Sequence, residues 1–232
     1  MSLMYRNNAI LPGNQNIKLK EIKKLPIENN ECIITWKDGS EYIGECKNKE
    51  LNGYGVYTFP DKSVYSGFWK HSCKHGLGTL RYNNGTSYKG TFINDMISGD
   101  GVLSYDITDE GKQIYIGEFR NGLMNGYGKL YYHNKTTGEY ELEYIGYFKN
   151  NTFNGIGMCF HKNGNKFYEG HFAKGKPCGE GILYDEEGEK REASYYISGE
   201  QQKDLSQTRH FKLIDKLQKK IKFPMYHIHH NI

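Results

Sequence analysis

Three sets of side chains in this 232-residue chain are of types that do chemistry. His227, His229 and His230 near the end are a candidate metal set. Cys32, Cys46, Cys73, Cys159 and Cys178 are candidate nucleophiles, ligands or disulfide partners. Repeated Gly-x-Gly pairs invite comparison with a phosphate-cradling loop. None carries the pattern its chemistry needs. The His-x-His-His tail has no carboxylate or cysteine beside it and no group to orient the rings. It reads as a flexible or docked tail. The cysteines are odd in number, widely spaced and without a C-x-x-C pair. A phosphate loop needs a strand-to-helix turn followed by Lys-Ser/Thr or a third spaced glycine, and no copy has one. No nucleophile elbow, His-Glu-x-x-His or kinase signature is present, and the carboxylates are scattered. The expectation is a protein with no catalytic residue, no cofactor and no metal site.

The glycines belong to a repeat. Tyr42, Tyr65, Tyr88, Tyr115, Tyr144 and Tyr168 are each followed two residues later by a glycine. Nine residues after that glycine comes a Gly-x-Gly pair: 53/55, 76/78, 99/101, 126/128, 155/157 and 179/181. The inner spacing never varies, whereas successive copies lie 23, 23, 27, 29 and 24 residues apart. A constant interior with elastic connectors marks a structural unit repeated in an array.

Within one unit, Tyr65, Gly67 and Trp69 alternate with Ser66, Phe68 and Lys70. After a polar tip, Gly76, Gly78, Leu80 and Tyr82 alternate with Leu77, Thr79 and Arg81. Two period-two runs joined by a polar tip predict a β-hairpin. Asp38-Gly39, Asn84-Gly85 and Asn163-Gly164 supply turns that need positive φ. The motif glycines fall on the aromatic face, where a missing side chain leaves room for a ring to lie over the backbone. First-strand ends depart from an aromatic residue at Cys46, and the apolar slot of the second strand is Cys159 in the fifth copy.

Tyr115-Ile-Gly117-Glu-Phe119 with Asn125-Gly126-Tyr-Gly128-Lys-Leu130 shows the pattern in full. It resembles the MORN repeat (membrane occupation and recognition nexus), over about residues 31–198. The resemblance implies an all-β, elongated single-layer array of antiparallel hairpins. It also implies a non-enzymatic scaffold, since relatives with chemistry carry it in an extra domain. The family includes cytoskeletal and ciliary scaffolds, membrane tethers and modules attached to enzymes. A cytoplasmic location at a cytoskeletal, ciliary or membrane-cortex structure follows from the resemblance alone.

Charge is segregated. Residues 1–30 hold five basic and two acidic side chains, residues 31–199 hold 19 and 22, and residues 200–232 hold seven and three. The ends are thus +3 and +4 and the body −3. No basic stripe runs through the aromatics, which excludes a nucleic-acid role. Attraction to anionic phospholipid is assigned to the ends. No apolar stretch forms a leader or spans a bilayer, so the expectation is a reduced, cytosolic chain.

The chain divides into a basic segment (1–30), the array (31–198) and a basic tail (199–232). Ile17 to Leu25 fits a short helix or an extended strap. Cys32 to Gly39 reads as the second strand and turn of a degenerate seventh repeat, with Trp36 as a cap, and Ala193 to Ile197 as a last strand. From about 200 to 222 the hairpin period is gone. Leu213, Ile214, Leu217 and Ile221 share one sector of a helical wheel, opposite Lys212, Lys216, Lys219 and Lys220. That is an amphipathic basic helix, with Ser198 and Gln201 as a capping box. The four lysines are the candidate lipid-binding residues.

On the face away from the aromatics, copies one to three offer polar residues such as Glu45, Lys47, Lys70, Arg81 and Lys89. Copies four to six do not: Ile116, Tyr131, Ile145, Tyr147, Met158, Phe160, Ile182 and Tyr184 all point outward. An apolar patch of this kind implies a partner. The alternatives are the chain's own C-terminal helix, with Leu213, Ile214, Leu217 and Ile221 as the docking residues, a target helix of another protein such as a cytoskeletal protein, or a second copy.

Overall fold

The computed structural model describes residues 31–107, 111–197 and 199–202. They form one antiparallel sheet of 15 strands in sequence order. The strands are β1 (Glu31–Thr35), β2 (Glu41–Lys47), β3 (Glu50–Thr58), β4 (Val64–Lys70), β5 (Cys73–Arg81), β6 (Ser87–Ile93), β7 (Met96–Ile107) and β8 (Gly111–Arg120). They continue as β9 (Leu123–His133), β10 (Tyr140–Lys149), β11 (Thr152–Phe160), β12 (Lys166–Ala173), β13 (Lys176–Tyr184), β14 (Lys190–Ile197) and β15 (Glu200–Gln202). The helix expected to follow and the basic N-terminal segment lie outside the described residues. Glu200–Gln202 correct the expected capping box. Gly199, at φ +90°, turns the chain so that Gln201 pairs with Tyr196 as an edge strand.

The inner face is a herringbone of rings. All six motif tyrosines are buried. Tyr65, Tyr88, Tyr115, Tyr144 and Tyr168 meet the ring four residues on edge-to-face, and those from Tyr42 to Tyr144 meet the corresponding ring of the next copy. Tyr65 thus touches Trp69 and Phe92, Tyr88 touches Phe92 and Phe119, and Tyr115 touches Phe119 and Phe148, at centroid separations of 4.8–5.2 Å. Edge-to-face pairs match the positive rim of one ring to the negative face of the next, adding about 0.5–1.5 kcal/mol beyond burial. Every motif tyrosine donates its hydroxyl to the carbonyl three residues on, at 2.7–3.3 Å. The ring is thereby pinned flat across the strand pair.

That pinning explains the glycines. Gly117 pairs with Gly128, and Gly128 with Gly146, so the motif glycines form a line across the sheet under the tyrosines. A Cβ on Gly128 would lie 2.5 Å from both Cζ and Oη of Tyr115. Its neighbour Gly126 has φ +112°. It sits in a bulge where three residues of β9 (Asn125–Tyr127) face Glu118 alone on β8. Bulges re-aim a strand and sharpen its twist. The Glu118 carboxylate accepts the Tyr127 N–H the bulge would leave open, at 3.0 Å, as Glu45 accepts that of Tyr54 at 2.8 Å.

Hairpin tips lace the copies together. His71 and Ser72 both have positive φ, as do Asn94 and Asp95. These are two-residue turns of the kind that match strand twist. Each tip reaches back to the preceding copy: the Asp95 carboxylate accepts the Lys74 N–H, and the Asn151 side chain accepts that of Met124.

The ends differ from the middle. At the first copy's ring position stands Cys46, joined to Cys32 of β1 by a disulfide. This corrects the expectation of a fully reduced chain, because cross-strand neighbours on a buried face are close whatever their spacing in sequence. Trp36 is buried against Tyr57 at 5.3 Å, as its capping role requires. At the other end Tyr196 closes the ring series on Tyr168.

Candidate functional site

With the inner face filled, the outer face is what the sheet has to offer. One row of residues crosses it in strict register. In the front half it reads Ile43, Val56, Ser66, Thr79, Lys89 and Val102; in the back half Ile116, Lys129, Ile145, Met158, Glu169 and Ile182. The two halves differ in exposure. Ile43 is 51% exposed and Val56 36%, whereas Ile116 is 8% and Ile182 2% exposed.

The front half carries a patch that the expectation of polar outer positions missed. Tyr54 and Phe68 pair across β3 and β4 with rings 5.6 Å apart, and both are about half exposed. Leu77 of β5, at 65%, is more exposed still. The signal was present in the alternation, since Ile43, Tyr54, Val56, Phe68 and Leu77 all lie off the tyrosine parity. Weight given to the intervening lysines and glutamates obscured it.

In the back half the expected patch residues are brought together but not equally offered. Ile145 faces Met158 directly across β10 and β11. Tyr147 is exposed and meets Tyr127 edge-on at 5.7 Å. Tyr131, Ile145, Met158, Phe160 and Tyr184 are half-buried, and Ile116 and Ile182 are buried. Beside Ile182, the Glu169 carboxylate is also buried and is well satisfied. It accepts from Lys166 at 3.0 Å and from the Tyr184 hydroxyl at 3.1 Å. Burial, then that carboxylate, pushes the Tyr184 phenol up to about 12. Leu213, Ile214, Leu217 and Ile221, with Lys212, Lys216, Lys219 and Lys220, lie outside the described residues.

Among the described residues no group of three His, Cys, Asp or Glu side chains is placed to hold a metal ion. Cys73, Cys159 and Cys178 are free. Burial, then Glu143, raises the Cys159 thiol to about 12, against the thiolate form a nucleophile needs.

A family model of the MORN repeat matches residues 42–64, 65–87, 88–107, 115–137, 144–166 and 168–190. The chain belongs to the MORN-repeat family. No curated protein matches it. Among solved structures, the TCP10 domain of Danio rerio CPAP, in complex with a peptide of Danio rerio STIL, matches over 75% of this chain and 98% of that one. Identity is 10% and the TM-score 0.20, too low to bear on fold or function.

Proposed function

We propose that the chain is a non-enzymatic scaffold that holds another protein on its outer face, with the front half as the open docking ground. The observation that carries this is the exposed patch of Ile43, Tyr54, Val56, Phe68 and Leu77 on a face where no described element packs. Apolar area of that kind on one side of a sheet fits the apolar side of an amphipathic helix. A cytoskeletal, ciliary or membrane-cortex setting is supported by the family alone. The test is cross-linking and affinity capture from source-cell extract with the wild type and with Tyr54→Glu/Phe68→Glu. Both chains should give the same circular dichroism, and the variant should lose at least one captured protein. An unchanged set of captured proteins ends this reading.

A second reading has the charge segregation behind it: a peripheral module that meets anionic phospholipid through its basic ends. Screening acts within about 8 Å at 0.15 M salt, so binding through lysines should fall as salt rises. Sedimentation with phosphatidylserine vesicles should then weaken when Lys212, Lys216, Lys219 and Lys220 are changed to glutamine. Equal sedimentation of both chains, or none by either, removes it.

A further inference from the structure

Ile116 and Ile182 are buried on the outer face, Ile182 beside the Glu169–Tyr184 pair of the same sheet. The substantial contacts of each strand are with the strands before and after it, and those neighbours lie in the plane of the sheet. In-plane neighbours leave Ile43 and Val56, in the same row, well exposed. The outer face is thus more closed at Ile116 in β8 and Ile182 in β13 than at Ile43 and Val56 in β2 and β3, as a cover over the back half would make it.

We propose that residues 203–222 of this chain are that cover. Position favours them, because the chain leaves the sheet at Gln202 in β15, two strands beyond Ile182. Length agrees. As a helix, residues 203–222 would run about 30 Å, and the seven strand spacings from β15, where the segment starts, to β8 take about 34 Å, so it reaches most of the way along the row. The chemistry matches as well. Leu213, Leu217 and Ile221 fall in one helical sector, which suits Ile116, Ile145, Met158 and Ile182. Residues 203–222 also carry seven basic and two acidic side chains, opposite in sign to the net −3 of residues 31–199. The basic side of the segment then faces solvent, where a membrane or acidic partner can reach it. This inference stands on the back half alone and holds whether or not the front half captures a protein.

Three methionines allow a test in the full-length chain. Met158 lies in the covered row, Met96 is exposed near the β6–β7 turn, and Met124 is in the inner core. Dilute peroxide converts accessible methionine to the sulfoxide, which peptide mass spectrometry counts. In the wild type Met158 should oxidise several-fold more slowly than Met96. In Leu213→Glu/Leu217→Glu the Met158 rate should rise towards that of Met96, with Met124 still protected. Equal rates for Met158 and Met96 in the wild type overturn the proposal, and so does unchanged protection in the variant. Protection that vanishes on dilution, together with a dimer by light scattering, assigns the cover to a second copy instead. If Met124 also oxidises in the glutamate variant, Leu213→Ala/Leu217→Ala is read the same way, and no rise at Met158 there ends the idea.

Discussion

The front and back halves of this sheet share one inner face and differ on the other. Inside, Tyr65 over Gly78 and Tyr144 over Gly157 are the same construction, with the same hydroxyl bond and the same glycine beneath the ring. Outside, the row that exposes Ile43 and Val56 buries Ile116 and Ile182. The inner face is what makes the copies alike, so its residues repeat. The outer face is free of that constraint, and function can vary along it. For an array, the informative residues are therefore those that break the repeat.

The sharpest way to break the comparison is a charge placed at equivalent positions of the two halves. Ile182→Glu would bury a carboxylate directly opposite Glu169. An uncompensated buried charge costs about 3–5 kcal/mol, and like charges in register add to it. Ile43→Glu enters solvent and should stay within about 0.5 kcal/mol of the wild type. Denaturant titration of both variants decides. Equal, small changes would mean that the two halves are equally open.

A valine placed under the rings should show no such asymmetry. Gly128→Val in the back half and Gly55→Val in the front both drive side-chain atoms into a pinned tyrosine, Tyr115 and Tyr42 respectively. Overpacking costs about 1–3 kcal/mol. Both variants should lose stability by similar amounts in thermal melts. An unchanged midpoint for either would show that its ring does not lie over that strand pair.

The inner face was legible in the sequence because one signal, the Tyr-x-Gly and Gly-x-Gly spacing, is dictated by one geometry. The hairpins, their tips and the glycine line all follow from it. The outer face was only partly legible. Parity placed Ile145, Met158 and Tyr147 on it correctly. Parity carries no information about what lies above a residue, so Ile182 and Tyr147 looked alike although one is buried and the other exposed. The Cys32–Cys46 bond was hidden for a similar reason. It depends on strand pairing, which brings together residues 14 apart in sequence. Glu200–Gln202 reads as polar tail until Gly199 is seen to turn it back onto β14.

The last and mildest prediction uses pH, and it tests whether the inner face is one structure from end to end. Burial raises the phenols of Tyr42, Tyr65, Tyr88, Tyr115, Tyr144 and Tyr168, with nearby carboxylates adding in Tyr42, Tyr65, Tyr88 and Tyr115. In the unfolded chain a tyrosine loses its proton near pH 10. Below that pH both states are protonated, and the buried tyrosines contribute their full stability. Above it the unfolded chain releases protons that the folded array still holds, so the folded state binds more protons and stability falls as pH rises. The slope is up to about 1.4 kcal/mol per pH unit for each such tyrosine. Stability should thus be flat on this account from pH 7 to 9 and decline above pH 10. Tyrosinate absorbance from these six rings should appear together with the loss of β circular dichroism. Front and back halves should go in one step, since Tyr88 and Tyr115 share Phe119 as a neighbour. Two separated steps would show that the herringbone is interrupted between β6 and β8, and would place the boundary between the halves on the inner face as well as the outer.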